Sequence, residues 1–418
     1  MPRSQSEVTD YLTGLLKEED LGAIAKRLRP RSGDLPPRVP GASLTSTESI
    51  ERRWRLLAAK PDAKTALWDG RDADGFASNI ENYIGAVYIP IGLIGPLRIN
   101  GLFAGGDFYV PLATTEAALV ASYHRGALAI SESGGCSAML LSEGVARAPG
   151  FIFADVIEAG TFAAWAVAHL DDFRREAGAT TRHGQLRDMQ ITIEGNHVYL
   201  TFEYTTGDAA GQNMVTIATQ AICDWIIAQS PVKPARHFVE ANLSGDKKAS
   251  ALSFVSVRGR KVTAEVRLPK SVIEKRLRTD ATAMEDYWRM SALGGVMSGT
   301  IGVQGHYANG LAALYIATGQ DAACVSESSV GVTRFERVGD GDLYAAVTLP
   351  NLVVGTVGGG TGLPTQRACL EILGVAGDHG ARALAEICAA VSLAGELSII
   401  AALSAGHFAS AHKKLARG

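Results

Sequence analysis

The sequence predicts a mixed α+β protein: a large α/β domain around one long central helix, a small α+β domain inserted into it, and a helical N-terminal region. Three observations predict this. Residues 381–412 form a long, alanine-rich apolar run of helical character, suited to the centre of a core. Between Phe151 and Met214 the order is strand, helix, strand, strand and then a further helix, which puts helices on one face of a small sheet. Over the first 35 residues Leu12, Leu15, Leu16 and Leu21 recur at loosely helical spacing, and Pro36, Pro37 and Pro40 then mark a linker. A chain of 418 residues accommodates two or three such domains.

In order, residues 45–59 read as a helix capped near Ser46 or Thr47, with Glu48 and Glu51 in its first turns. Residues 81–94 are extended and β-branched, punctuated by Gly92, Gly95 and Pro96. Residues 108–112 form a strand, and Thr114 caps a helix to about Ser131. Glu116 then falls in the first turn, where an acid stabilises the helix dipole. Inside the insertion, 151–156 is a strand and 161–175 a helix. Residues 189–194 and 197–204 are strands around Gly195-Asn196, and a helix over 213–228 leads out. Residues 254–256 and 261–267 are expected as a hairpin around Arg258-Gly259-Arg260. A charged helix starts at Lys270, and 294–317 is a closely packed glycine- and alanine-rich helix. Residues 343–354 hold a strand, and the loop 355–361 runs into a helix at 365–373.

Composition narrows the function classes. With 47% hydrophobic and 20% charged residues the chain has an ordinary globular balance and ample core material. A net charge of -3 without a basic block argues against a nucleic-acid partner. The five cysteines, Cys136, Cys223, Cys324, Cys369 and Cys388, show no CxxC spacing, so neither a zinc site nor a disulfide framework is indicated. No run of about 18 apolar residues escapes charges or breakers, so no membrane span is expected. The first 30 residues lack a signal-peptide core, and a cytoplasmic protein is the expectation.

Three stretches carry chemistry. Residues 240–248 read Glu240-Ala241-Asn242-Leu243-Ser244-Gly245-Asp246-Lys247-Lys248. A loop of small residues can carry a lysine into a cleft, and a compact ammonium near a carboxylate suits a developing oxyanion. Taken alone, such a run is usually a solvated turn. The glycine loops at 208–211 and 355–361 are each weak signals for phosphate or dinucleotide binding, since neither has the GxGxxG spacing.

Taken together, eight stretches in order resemble the 3-hydroxy-3-methylglutaryl-CoA reductase family, in the class of eukaryotes and archaea. They are ENYIG at 81–85, PIGLIGPL at 90–97, ATTEAALVAS at 113–122, DAAGQNM at 208–214, DKK at 246–248, GQDAA at 319–323, GTVGGGT at 355–361 and AGHFASAH at 405–412. The resemblance implies two-step reduction of an acyl thioester by NADPH. Lys247 would stabilise the oxyanion and Asp321 would keep it charged. Glu116 would protonate the aldehyde oxygen, and His412, five residues after His407, would protonate the departing thiolate. Cofactor contacts would come from Thr181 and Arg182, which match a 2′-phosphate-binding pair, and from Asp208, Ala210, Gly211, Gln212, Asn213, Met214, Gly358 and Gly359. Gln212 stands where methionine is usual.

The implied organisation is a helical region at 1–80, a large substrate and dimerisation domain at 81–139 and 249–418, a small ferredoxin-like NADP-binding domain at 140–238, and the lysine loop at 239–248. Active sites would be shared within a homodimer or a higher even oligomer. The thioester carrier is coenzyme A or a carrier protein.

Departures concern the acyl pocket, where Glu81, Met139, Glu240, Asp246, Lys248, Arg289 and Met290 are the candidate residues. Met139 replaces an arginine and Glu240 a serine, while Arg289 or Met290 aligns near a lysine. Two like charges about 4 Å apart repel by roughly 4 kcal/mol at an effective dielectric near 20. The expectation is therefore an acyl group other than hydroxymethylglutaryl, with mevalonate formation as the alternative. A non-catalytic binder of CoA esters or NADPH is the third reading.

Overall fold

In the computed structural model the helix Ala381–Ser404 is the axis of the larger unit. The structure describes Thr13, residues 20–28 and residues 36–406, apart from 42–43, 58–60, 69, 71–72, 78 and 257. The predicted His412, its neighbour His407 and the leucines at 12, 15 and 16 lie outside the described residues. The axial helix is apolar on all sides, the pattern of a helix enclosed by protein. It is the one helix among the described residues long and apolar enough to cross a membrane, and 83% of its apolar window is buried inside the protein.

Small residues let this helix meet its neighbours backbone to backbone. A Cβ at Gly126, on the helix Leu119–Glu132, would overlap the Ala394 carbonyl oxygen. Two carboxylates on the axis are fully buried and are satisfied mainly by main-chain donors, as buried charge requires. Glu386 accepts from the N–H groups of Phe103 and Ala104 at 2.8 Å and of Leu140 at 3.2 Å. Glu396 accepts from Gly305 N at 2.7 Å, His306 N at 2.8 Å and Thr333 Oγ1 at 2.8 Å.

The chain divides into two units, Met1–Ala86 and Val87–Gly418. The first packs Ile50, Trp54, Trp68, Ala73 and Tyr83 together. Its helix Thr47–Leu56 is capped by Ser46, as expected. Buried Arg53 ties the segment with bonds to the carbonyls of Pro40, Leu44 and Tyr83.

The second unit carries two sheets. Strands β1 (Ile91–Gly101), β2 (Gly105–Ala113), β3 (Cys136–Glu143), β9 (Arg260–Leu268), β10 (Val332–Val338) and β11 (Asp342–Leu352) form one six-stranded sheet, ordered β10-β11-β9-β3-β1-β2. The other holds β4 (Val145–Arg147), β5 (Gly150–Ile152), β6 (Gln185–Glu194), β7 (His197–Thr205) and β8 (Arg236–Phe238). In it β7 lies between β6 and the β4 and β5 pair, with β8 beyond β5, all antiparallel. This is the β-α-β-β-α-β arrangement of ferredoxin-like sheets. A separate core around Phe162, Phe173, Phe202 and Ile222 fills it. Its last strand had no signal in the sequence, since three residues are too few to show alternation.

Four expectations are corrected. Ala118 takes a left-handed φ of 70, so the helix starts at Leu119 and Glu116 stands in the loop before it. No hairpin forms over 254–267; Ala251–Phe254 is a 3₁₀ turn, and β9 pairs with β11 and β3 instead. The helix expected over 294–317 is two helices, Ala281–Ser298 and Tyr307–Thr318, because Gly299 at φ 76 ends the first. The helix expected over 161–175 is also two, Val156–Ala168 and Leu170–Thr180, broken at His169.

Gly126→Ala is expected to force the two helices apart and destabilise the protein by about 1–3 kcal/mol, the range for overpacking. Chemical denaturation followed by far-UV circular dichroism reads this directly; an unchanged midpoint would contradict the close approach.

Candidate active site

Lys247 sits on a loop whose backbone turns sharply. Gly245 has φ 73, and Lys247 itself has φ 56, a left-handed conformation costing a non-glycine residue about 1–2 kcal/mol. Such a conformation persists only where surrounding bonds enforce it. Here they do. Its Nζ lies 2.7 Å from Asp321 Oδ2, its N–H donates to Glu327 Oε1 at 3.2 Å, and its carbonyl accepts from Ser326 Oγ at 2.7 Å.

The hydrogen bond with Asp321, ahead of an opposing desolvation, holds the lysine above its ordinary 10.5. Burial alone would raise Asp321. The Lys247 hydrogen bond, the Ala323 N–H and the lysine charge together outweigh it, and the carboxyl lies below 3.8. Both side chains are 44% exposed, so the pair is open to a ligand.

Beneath the loop lies a network that the sequence did not announce. Arg258 is 2% exposed, and its Nε donates to Glu327 Oε2 at 2.8 Å, while its Nη2 pairs with Asp246. Arg147 bonds the other oxygen of Asp246 at 2.9 Å and Glu240 at 3.4 Å. Gln212 Oε1 accepts from Arg147 at 3.2 Å and from Arg258 at 3.0 Å. Glu240 also accepts from Ala148 N, Asn242 N and Ser244 Oγ. Its carboxylate is thus engaged by Arg147 and its own loop, and no substrate cation is needed to balance it. Arg258 lay in a presumed turn, and Glu327 in no motif; only their packing identifies them.

The two glycine loops, about 150 residues apart in sequence, meet in space. Thr356 N donates to Asp208 O at 2.8 Å, and a Cβ on Gly355 would overlap the backbone of Ala209 and Ala210. Gly358 and Gly359 have φ 77 and 55 with open space where a side chain would lie. Gly211 begins the helix Gln212–Gln229, with Asn213 exposed in its first turn; such an N-terminus favours an anion. Thr181 Oγ1 reaches Met214 Sδ at 3.2 Å, so that pair and exposed Arg182 border the same helix start. The Asp208 side chain accepts from His379 N at 2.8 Å and Ala381 N at 3.2 Å, which caps the axial helix.

The motif Gly319-Gln320-Asp321 couples these parts. Gln320 bonds both the N–H and the carbonyl of Gly355, at 2.8 and 2.9 Å, while the next residue holds Lys247.

Other sequence-predicted residues stand elsewhere. Glu116 accepts from Asn309 Nδ2 at 3.1 and 3.2 Å. Lys248 Nζ turns back on the Asp246 carbonyl at 2.8 Å. Met139 is exposed on β3 opposite Thr263. Arg289 pairs with Glu285 on its own helix at 3.1 Å, beside the 74% exposed Met290. Glu81 belongs to the first unit, where it is exposed in a turn.

Comparison with known proteins follows the same lines. The hydroxymethylglutaryl-coenzyme A reductase family model matches residues 49–417. The chain is 46% identical over 433 residues to 3-hydroxy-3-methylglutaryl-coenzyme A reductase of Aeropyrum pernix, covering 100% of this chain and 97% of that one. It is 42% identical over 406 residues to the Haloferax volcanii protein of the same name, covering 95% and 100%. Its fold is similar to a class II 3-hydroxy-3-methylglutaryl-CoA reductase of Streptococcus pneumoniae bound to NADPH, with TM-score 0.64, 20% identity, and 84% and 96% coverage.

The pair sets a pH window. Lys247, raised in the fold, contributes stability that is full below 10.5 and lost as pH rises through its raised value. Asp321, lowered, contributes stability present above 3.8 and lost as pH falls through its lowered value. Asp321→Asn is therefore expected to move the lysine titration to lower pH, read by NMR of the labelled ammonium group. An unmoved titration would refute the pairing.

Proposed function

This chain belongs to the hydroxymethylglutaryl-coenzyme A reductase family, and from that premise we propose that it reduces 3-hydroxy-3-methylglutaryl-CoA to mevalonate and free coenzyme A with two equivalents of NADPH. The observation that carries this reading is the 2.7 Å contact of Lys247 with Asp321, in a chain alike over nearly its full length to reductases of that name. The expectation of a different acyl group loses its main support, since Glu240 faces Arg147.

The residues suit the chemistry. The Lys247 ammonium polarises the thioester carbonyl and stabilises the oxyanion of the thiohemiacetal, and Asp321 keeps that ammonium charged. NADPH would supply hydride at each of the two reductions. Collapse of the thiohemiacetal breaks the carbon–sulfur bond and releases the thiolate, for which His412 is the proposed proton donor. Glu116, held by Asn309, gives a proton to the aldehyde oxygen in the second reduction. The open glycines Gly358 and Gly359, with the helix start at Gly211, form a cradle that fits the dinucleotide phosphates. Arg182, exposed beside that helix start, would pair with a 2′-phosphate. By this reading residues 140–238 are the cofactor domain, flanked by the substrate domain at 81–139 and 249–418.

A second copy of the chain would complete the site. Asn309 with Glu116 stands near the start of the helix Tyr307–Thr318, and Asp321 with Lys247 stands beyond its end. At 1.5 Å per residue the stretch from Asn309 to the helix end is about 14 Å, a separation that favours the two pairs of one chain serving different carbonyl carbons. The exposed apolar stripe of Met290, Leu293, Val296 and Met297 on the helix Ala281–Ser298 supports such an interface.

Steady-state assays with hydroxymethylglutaryl-CoA are expected to consume two NADPH per mevalonate. Lys247→Ala should cut turnover by at least about a thousandfold while leaving NADPH binding intact. Turnover of other acyl-CoAs but not this one would restore the altered-substrate reading. Dilution below the dimer dissociation constant should abolish activity; specific activity independent of concentration would argue for a self-sufficient monomer.

A further inference from the structure

We propose that Ser326 and Glu327, with Arg258 behind them, are positioning residues that fix the main chain of Lys247 and thereby keep its ammonium on Asp321. The proposal rests on the reading of Lys247 as the carbonyl-polarising group.

One short segment grips Lys247 at three points. Asp321 caps the 3₁₀ turn Ala322–Cys324, which runs directly into the helix Val325–Ser328. Residues 321, 326 and 327 thus face the lysine together, taking its side chain, its carbonyl and its N–H respectively. The left-handed φ of 56 at Lys247 is held by the last two of these bonds.

Glu327 is itself immobilised. Wholly buried, it accepts from Arg258 Nε at 2.8 Å and Asn351 Nδ2 at 3.2 Å. The same guanidinium pairs with Asp246, the residue preceding Lys247. Arg258 therefore braces the loop from below on one side and the acceptor of the lysine N–H on the other. A fully buried carboxylate must have its charge and lone pairs satisfied, and Glu327 does so with a guanidinium, an amide and the Lys247 N–H, which ties that loop N–H to a rigid ion pair. It suits a site whose reacting group must be held within a fraction of an ångström by surrounding shells.

The titratable groups acting on Lys247 are Asp321 and Cys324 on the gripping segment and Asp246 on its own loop, with Glu327 on its N–H and Arg258 behind Glu327. Loosening the main chain would let the ammonium leave Asp321, the largest cause of its raised pKa. The expected signature is therefore a shift of titration as well as a loss of rate.

The test uses the full chain with hydroxymethylglutaryl-CoA and NADPH. Ser326 is exposed, so Ser326→Ala removes only its hydroxyl, which lies 2.7 Å from the Lys247 carbonyl and 2.9 Å from the Ala323 carbonyl of its own turn. It is expected to lower kcat about tenfold, the worth of one lost hydrogen bond, with NADPH affinity within about twofold. The basic limb of the kcat–pH profile should move to lower pH, and Ser326→Thr should restore both. Glu327→Gln should lower kcat further; if it fails to fold, the Ser326 pair decides alone. If Ser326→Ala keeps kcat and the basic limb unchanged while Lys247→Ala abolishes turnover, the positioning proposal falls and the lysine assignment stands. A loss of kcat with an unmoved limb would assign a merely structural role and overturn it equally. Retained turnover in Lys247→Ala would instead defeat the lysine assignment itself.

Discussion

Everything in the larger unit hangs on one enclosed helix that carries two buried carboxylates. Apolar side chains alone would let Ala381–Ser404 rotate or slide among its neighbours. Glu386 and Glu396 prevent this, because each is satisfied only when particular backbone N–H groups stand opposite. Glu386 fixes the turn between β1 and β2 and the middle of β3. Glu396 fixes the entry to the helix Tyr307–Thr318, and with it Asn309 and Glu116. At its N-terminus the same helix is capped by Asp208, which brings one glycine loop onto the other. Core and site are in this sense one construction.

The site obeys the same logic on a smaller scale. Gly319 turns the chain, Gln320 holds Gly355, and Asp321 holds Lys247, so three consecutive residues set the distance between cofactor loop and lysine. Below them two arginines and three carboxylates alternate, and each charge finds at least one opposite partner. Such a network is weak as a source of stability, since desolvation offsets the attraction. It is strong as a source of register, because removing any member strands another.

That network also revises the substrate argument. Read along the chain, Glu240 looked like an uncompensated negative charge in an acyl pocket. In space it lies against Arg147, a residue 93 positions earlier, and closes the base of its own loop through Asn242 and Ser244. The change from serine to glutamate is thus absorbed beneath the site. Met139 has no such account; it lies exposed on β3 opposite Thr263.

Much was legible in the sequence because it depends on local rules. The axial helix, the turn at Gly195-Asn196 and the cap at Ser46 follow from periodicity and turn chemistry within a few residues. The pairing of Lys247 with Asp321 was legible too, but only through motifs shared with a family, since nothing local links two residues so far apart. Tertiary structure decided the rest. Ala118 in a left-handed turn delayed the helix after Glu116, Gly299 split a continuous helical pattern, and Arg258 left its expected hairpin to brace Glu327 and Asp246. Gly299 acts locally, as a left-handed glycine that ends a helix. The place of Arg258 is instead set by the carboxylates of Glu327 and Asp246, which lie outside its own stretch of chain. That long-range electrostatic requirement outweighs local preferences of about 1 kcal/mol or less per residue, and no reading of neighbours along the chain can register it.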